Sequence, residues 1–360
     1  MSESFFFHSP VKVFVEKDPY EVLSDFLSDS CRIGVVSGKV AILKTGFKEF
    51  LLKRFPDKEF FFYDDISENP RINEVIKGGR FLRDSKVEKV IAFGGGSALD
   101  AGKACSIFAT NNRPFYELMA DNNYEKPIPL LAVPTTCGTG SEMNHYSIIT
   151  DLEKMDKVNF KKPDLFPKYA MLWSEYLKSL DETLLLWTVY DAFSHAMEGY
   201  LSKRSNPFSD ILAIEAMRLI LTNLKSYSNS KKLNLSKLLF ASSLSGAVIL
   251  HTGTTILHAL GYYLTNVHGI QHGLANALLI PRYLMMCEGK GVEKIDVIRN
   301  IEKELHFSIV DSIKDVLGDR LIKLLSGVDT EKMVDYASNK PNSLSTPFVV
   351  TKDYILRHFS

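Results

Sequence analysis

"VIAFGGGSALDAGKA", residues 90–104, runs from an apolar segment through Gly94, Gly95, Gly96 and Ser97 into a stretch that carries Asp100 and Lys103. A short apolar run closed by glycine reads as a strand buried on both faces, and the residues after it have helical spacing. A strand that turns through small residues straight into a helix is a unit of a parallel α/β layer. The same turn suits a phosphate, because residues without side chains let backbone N–H groups approach a pyrophosphate and the helix N-terminus adds a favourable partial charge. The spacing is neither a full G-x-G-x-x-G nor a P-loop, since Leu99 stands where a third glycine would fall. A strand-to-helix turn without a ligand therefore stays open as the alternative.

Similar runs recur on either side: "RIGVVSG" (32–38), "EFFFYDDI" (59–66), "PLLAVPTT" (129–136) and "YAMLW" (169–173). Segments with helical periodicity, 39–55 and 71–85, separate the first three strands, which predicts an α/β N-terminal domain with a Rossmann-like parallel sheet. Beyond residue 180 the strand signals stop. Long helical patterns follow from 181, 207 and 235, with Pro207 and Asp210 as a start signal and 225–234 as a polar connection. The reading is thus two domains, α/β over 1–177 and all-helical over 178–360, a division that a chain of 360 residues also favours.

Charge excludes some partners. Forty-three basic residues balance 43 acidic ones, so no overall field favours nucleic acid or an anionic membrane. No uninterrupted apolar segment reaches about 18 residues, and the N-terminus lacks a basic region followed by a long apolar core, so a cytoplasmic protein without membrane association is expected. Cys31, Cys105, Cys137 and Cys287 are far apart and suggest neither a disulfide framework nor a cysteine zinc site.

A second small-residue loop, "AVPTTCGTGSE" (132–142), follows the next strand and contains Thr135, Thr136 and Thr139. Two such loops at the carboxyl ends of strands in one sheet are where doubly wound folds bind ligands. In the helical half, "YDAFSHAMEGYL" (190–201) places Asp191 and His195 four apart in an apolar helix. Alone, that pair reads best as an internal hydrogen bond. A further apolar region, 256–281, adds His258, His268 and His272. Several buried imidazoles with a carboxylate are satisfied together by a divalent cation, with Fe(II) or Zn(II) suited to nitrogen and oxygen donors. Which histidines converge is open at this point. His251 and His268 are read as structural, and Glu198 as an orienting or salt-bridging group instead of a ligand.

These residues resemble the iron-containing (group III) alcohol dehydrogenases, a family related to glycerol dehydrogenase and dehydroquinate synthase. "GGGSALDAGKA", "PTTCGTGSE", "DAFSHAMEGYLS" and "HALGYYLTNVHGIQHGLANALLIP" stand in the family's order over roughly residues 90–285. The resemblance implies a dehydroquinate synthase-like fold and reversible hydride transfer between a nicotinamide cofactor and a small alcohol or aldehyde. It also implies a catalytic Fe2+, with Zn2+ as the alternative, ligated by Asp191, His195, His258 and His272. Gly94, Gly95, Gly96, Ser97 and Asp100 would meet the cofactor phosphates, and Thr135, Thr136, Thr139, Tyr146, Ile148 and Lys157 the nicotinamide and its ribose. A homodimer or larger homo-oligomer is implied as well. The alternatives within the same resemblance are a dehydroquinate synthase-like lyase and a glycerol dehydrogenase-like polyol oxidoreductase.

The chain departs from the family at three places. Tyr262 stands where many members carry a proton-relay histidine, Trp173-Ser174 replaces an Asp-Pro, and Tyr190 replaces the glycine before the metal aspartate. The last two would reshape a substrate pocket. NAD-preferring relatives often place an aspartate at the end of the first strand, where this chain has Gly38 flanked by Ser37 and Lys39. NADP is therefore expected, with NAD as the alternative that Asp64 and Asp65 at the end of the next strand favour.

Overall fold

The computed structural model describes residues 4–154, 156–318 and 320–359, with the side chains of 320–322 also outside the described set. The chain divides into two compact units, His8–Asp181 and Glu182–Ser360, the latter joined by the N-terminal segment through Phe7.

The first unit holds a six-stranded parallel sheet in the order β1-β8-β5-β4-β2-β3. Its strands are β1 (Lys12–Val15), β2 (Arg32–Ser37), β3 (Glu59–Tyr63), β4 (Lys89–Gly94), β5 (Leu130–Pro134) and β8 (Tyr169–Leu172). Alternate residues of the central strands face opposite layers, as a pleated strand requires. Ile33, Val35, Ile91, Phe93, Leu131 and Val133 build one core. Val36, Val90, Ala92, Leu130 and Ala132 build the other. Both faces are apolar because both are covered by helices: α1 (Pro19–Phe26), α2 (Lys39–Lys44), α3 (Phe47–Arg54), α4 (Ile72–Asp84), α5 (Gly96–Thr110) and α6 (Phe115–Ala120). An antiparallel hairpin, β6 (Tyr146–Asp151) with β7 (Asp156–Lys161), forms a separate two-stranded sheet.

The second unit is helical: α7 (Glu182–Leu201), α8 (Pro207–Ser230), α9 (Leu235–Thr252), α10 (Ile256–His268), α11 (His272–Gly289), α12 (Ile295–Leu305) and α13 (Ile309–Leu317), then shorter helices. Among the described residues α9 alone is long and apolar enough to cross a membrane, and 61% of that window is buried within the protein.

Some boundaries differ from the sequence reading. The α/β unit keeps the chain to Asp181 instead of 177, because the turn Ser174–Ser179 packs Tyr176 onto Phe47 and Phe93. Phe5 and Phe7 pack on Phe208 of α8, and Phe7 also stacks on His251, which ties this segment to the helical unit. The polar stretch expected as a connection at 225–234 is helical through Ser230, and Lys231 ends the helix in the left-handed conformation at φ 56°. β1 and the β6–β7 hairpin went unpredicted.

Candidate active site

Asp191 and His195 lie one turn apart on α7, a 20-residue helix buried from Val189 to Leu201. His258 comes from α10 and His272 is the first residue of α11. One ligand atom from each of Asp191, His195 and His258 lies within 4.8 Å of the other two. The His195 and His258 rings stack at 4.5 Å, and Asp191 Oδ1 is 3.7 Å from His258 Nε2 and 3.9 Å from His272 Nε2. His272 is the more open member, with a quarter of its side chain exposed.

The close approach of α11 has a visible cause. A Cβ on Gly273 would fall 2.4 Å from the Trp187 carbonyl oxygen, so only a residue without a side chain lets the start of α11 rest on the backbone of α7. That contact brings His272 beside Asp191.

The charged groups of this cluster act directly on one another. Burial alone would raise the Asp191 carboxyl, but the imidazoles of His195, His258 and His272 hold it well below the usual carboxylate range. Burial would lower His258, and Glu198 with Asp191 instead carries it up to about 9. Imidazole nitrogen and carboxylate oxygen donors, buried and mutually facing, suit Fe(II) or Zn(II).

Asn276 is the group that sequence reading missed. Its Nδ2 donates to Asp191 Oδ1 at 2.7 Å and lies 3.1 Å from His258 Nε2 and 3.3 Å from His272 Nε2, while its Oδ1 is buried without a partner. An amide in the otherwise apolar run "HGLANALLIP" was the available signal. Tyr262 stacks on His272 at 5.4 Å. His251 and His268 lie apart from the cluster, His251 against Phe7 and His268 exposed at the end of α10 against Tyr263.

Tyr190 points into the core of the helical unit. Its ring is fully buried and its hydroxyl bonds the carbonyl and Oγ of Ser312 in α13, at 3.2 and 2.9 Å, so the side chain fills the helical core where a glycine would leave a void. Trp173 instead lines a cavity of about 540 Å³ in the α/β unit, with Phe47, Phe50, Tyr176 and Lys44 among its walls.

In the α/β unit, Gly38, the Gly94–Ser97 turn and the threonine loop follow the ends of β2, β4 and β5, which are neighbours in the sheet. Gly94 has φ 144°, a conformation that glycine alone adopts readily. A Cβ on Gly96 would lie 2.5 Å from Thr139 Cγ2, so the two loops touch directly. Ser97 Oγ donates to the Glu68 carbonyl.

Asp100 ties the start of α5 to the threonine loop and to β6. Its Oδ1 accepts from Ser141 Oγ and its Oδ2 from Ile148 N at 2.9 Å. Lys103, 1% exposed, lies 3.1 Å from Asp100 and donates to Ser141 O at 3.0 Å and Ser141 Oγ at 2.7 Å. Burial pulls this ammonium below the usual lysine range against the opposing effect of Asp100. Tyr146 and Ile148 share one face of β6, opposite the buried Ser147 and Ile149, and Lys157 pairs with Thr150 across the hairpin. Lys39 forms an exposed ion pair with Asp65 at 3.7 Å, beside the bridge from Gly38 to Asp65.

Known proteins show the same organisation. Residues 10–173 match the family described as iron-containing alcohol dehydrogenase, and residues 186–355 match the Fe-containing alcohol dehydrogenase family, C-terminal. Alcohol dehydrogenase 4 of Saccharomyces cerevisiae is 33% identical over 222 residues, 61% of this chain and only 58% of that protein's length. The NADPH-dependent butanol dehydrogenase of Clostridium saccharobutylicum is 26% identical over 324 residues, 86% of this chain and 83% of its own. The iron-containing alcohol dehydrogenase of Thermotoga maritima superposes with a TM-score of 0.82 at 32% identity, covering 99% of this chain and 98% of that one. With both of its units matched and the carboxylate and imidazoles gathered on α7, α10 and α11, the chain belongs to the iron-containing alcohol dehydrogenase family.

Proposed function

We propose that this protein catalyses reversible hydride transfer between NADP(H) and a small alcohol or aldehyde, with Fe2+, or alternatively Zn2+, held by Asp191, His195, His258 and His272. The reading rests above all on the convergence of Asp191, His195 and His258 within 4.8 Å in a buried, apolar setting. A cation on these side chains supplies Lewis-acid polarisation of a substrate oxygen. The apolar helices around them exclude water, which strengthens every charge interaction inside.

The α/β unit contributes the nucleotide site in this reading. The backbone N–H groups of Gly94, Gly95 and Gly96 approach the pyrophosphate at the start of α5. Thr135, Thr136 and Thr139 offer hydroxyls to the nicotinamide end, with Tyr146, Ile148 and Lys157 on the hairpin beside them. Lys39 supports NADP because its pair with Asp65 is exposed on both sides, and such pairs contribute only about 0–1 kcal/mol, so the ammonium is free to turn to a 2′-phosphate. Relatives of equal identity, 26%, divide between an NADPH-dependent butanol dehydrogenase and an NAD-dependent methanol dehydrogenase, so the NADP reading rests on Lys39. Tyr262, stacked on His272, carries the proton between the substrate oxygen and water through its phenol hydroxyl. A homodimer or larger homo-oligomer belongs to the same reading, and sedimentation velocity measures it.

The deciding experiment is NADPH oxidation with butyraldehyde, followed by nicotinamide absorbance. Chelation, Asp191→Ala and His195→Ala should each lower the rate at least ~100-fold, equivalent to ~2.7 kcal/mol of barrier. Turnover indifferent to chelator and substitutions alike overturns the proposal.

A further inference from the structure

Glu198 lies on the same face of α7 as Asp191 and His195, at the third step of an i, i+4, i+7 series, and is fully buried. Its two oxygens do different things. Oε1 accepts from the Thr255 backbone N–H at 2.7 Å, the Thr255 hydroxyl at 2.6 Å and the His258 backbone N–H at 3.3 Å. These are donors at the start of α10, whose N-cap Thr255 makes no side-chain cap bond of its own. Oε2 meets His258 Nδ1.

We infer that Glu198 is a positioning residue for metal binding: one carboxylate caps α10 and, through His258 Nδ1, turns His258 Nε2 toward Asp191. The inference rests on the metal site proposed above. The chemistry explains why the residue is an acid. Every partner of Glu198 is a donor, so both oxygens must accept, and a carboxylate alone among side chains of this length accepts at both ends. An amide would place an NH2 against either the Thr255 donors or His258 Nδ1, and one of the two duties would fail. Carboxylates behind a ligating imidazole fix its ring orientation and raise its basicity, and their loss typically costs 10–100-fold in metal affinity. α7 therefore carries two ligands and the group that orients a third.

The test is zinc affinity of the full chain, measured by competition with a chromophoric chelator, with thermal unfolding of the zinc-free protein in parallel. Wild type should bind one zinc, and Glu198→Gln should bind it 10–100-fold more weakly. Glu198→Asp keeps the charge but is too short to reach both partners, and it should lose at least several-fold. Asn206→Ala, which removes the cap of α8 away from the cluster, is the control: it lowers the unfolding temperature and leaves zinc affinity within twofold. Either folded Glu198 variant with affinity within twofold of wild type overturns the assignment and leaves the metal site standing. A wild-type protein that binds no zinc and no Fe(II) overturns the metal site itself.

Discussion

Tyr190 precedes Asp191, a proposed metal ligand, in sequence yet faces away from it, because neighbouring helix positions point about 100° apart. Its contribution belongs to the core around Ser312. Tyr190→Phe removes the hydroxyl partner of Ser312 and should cost about 1 kcal/mol in urea unfolding. Tyr190→Gly, the residue expected from relatives, empties the same space and should cost about 3–5 kcal/mol, with about 1 more for glycine in a helix. Neither should change KM for aldehyde by more than about twofold in protein that remains folded, and a large KM change in Tyr190→Phe would show that the ring does shape the pocket. Gly273 makes the opposite case. Its substitution to Ala drives a Cβ into the Trp187 carbonyl, so α11 must move and take His272 with it. Overpacking of this kind costs about 1–3 kcal/mol, and activity should fall more than stability does, at least tenfold, because the displaced group is a proposed ligand. Turnover near wild type in Gly273→Ala would mean that His272 tolerates the shift.

The strands with continuous apolar faces, β2, β4 and β5, are plain in the sequence because both sides of each are buried under helices. β1, "KVFV", is short and lies at the sheet edge against β8, and "YSIITD" with "DKVNFK" buries only one side, so neither pattern rises above its polar neighbours. The tail of α8 was hidden for a different reason. "SYSNS" has poor helical propensity, but Asn234 N donates to Asn223 Oδ1 and the Lys231 N–H to the Tyr227 carbonyl, and these tertiary and capping bonds override it. Asp191 and His195 were legible as a pair because four residues on one helix define a face. Their meeting with His258 and His272 depends on how three helices cross, and Asn276 had no periodic partner to mark it. The threonine loop and the β6–β7 hairpin share one anchor, the buried Lys103–Asp100 pair with Ser141. Lys103→Met leaves Asp100 buried without its cation and should cost about 3–5 kcal/mol. In protein that still folds, Kd for NADPH should rise while zinc affinity stays unchanged, since the pair and the histidine cluster lie in different units. Equal losses of both would indicate global damage instead of a loosened loop.

Two compact units, with a metal proposed for one and a nucleotide for the other, predict two separable responses to ligation. Anything that binds the native state alone stabilises it by an amount set by concentration over Kd, about 2.7 kcal/mol at a hundredfold excess. Hydrogen exchange reports where that stabilisation falls, because protection rises in the segments whose opening the ligand opposes. Zinc should slow exchange in peptides spanning 188–199, 255–262 and 272–277, which carry Asp191, His195, Glu198, His258 and Asn276 on α7, α10 and α11. NADPH should slow it at 90–104 and 132–148, where the glycine turn, the threonine loop and the first strand of the hairpin sit. Asp191→Ala should abolish the zinc pattern and retain the NADPH pattern, and Gly96→Ala, whose Cβ would press on Thr139, should do the reverse. Zinc protection centred on 90–104, or an NADPH pattern insensitive to Gly96→Ala, would mean that the metal or the nucleotide binds elsewhere than its proposed site. The same experiment with NADH in place of NADPH addresses cofactor choice. With Lys39 as the 2′-phosphate partner, Lys39→Ala should weaken NADPH protection several-fold in concentration dependence and leave the NADH response unchanged, because NADH offers no phosphate for the ammonium to meet.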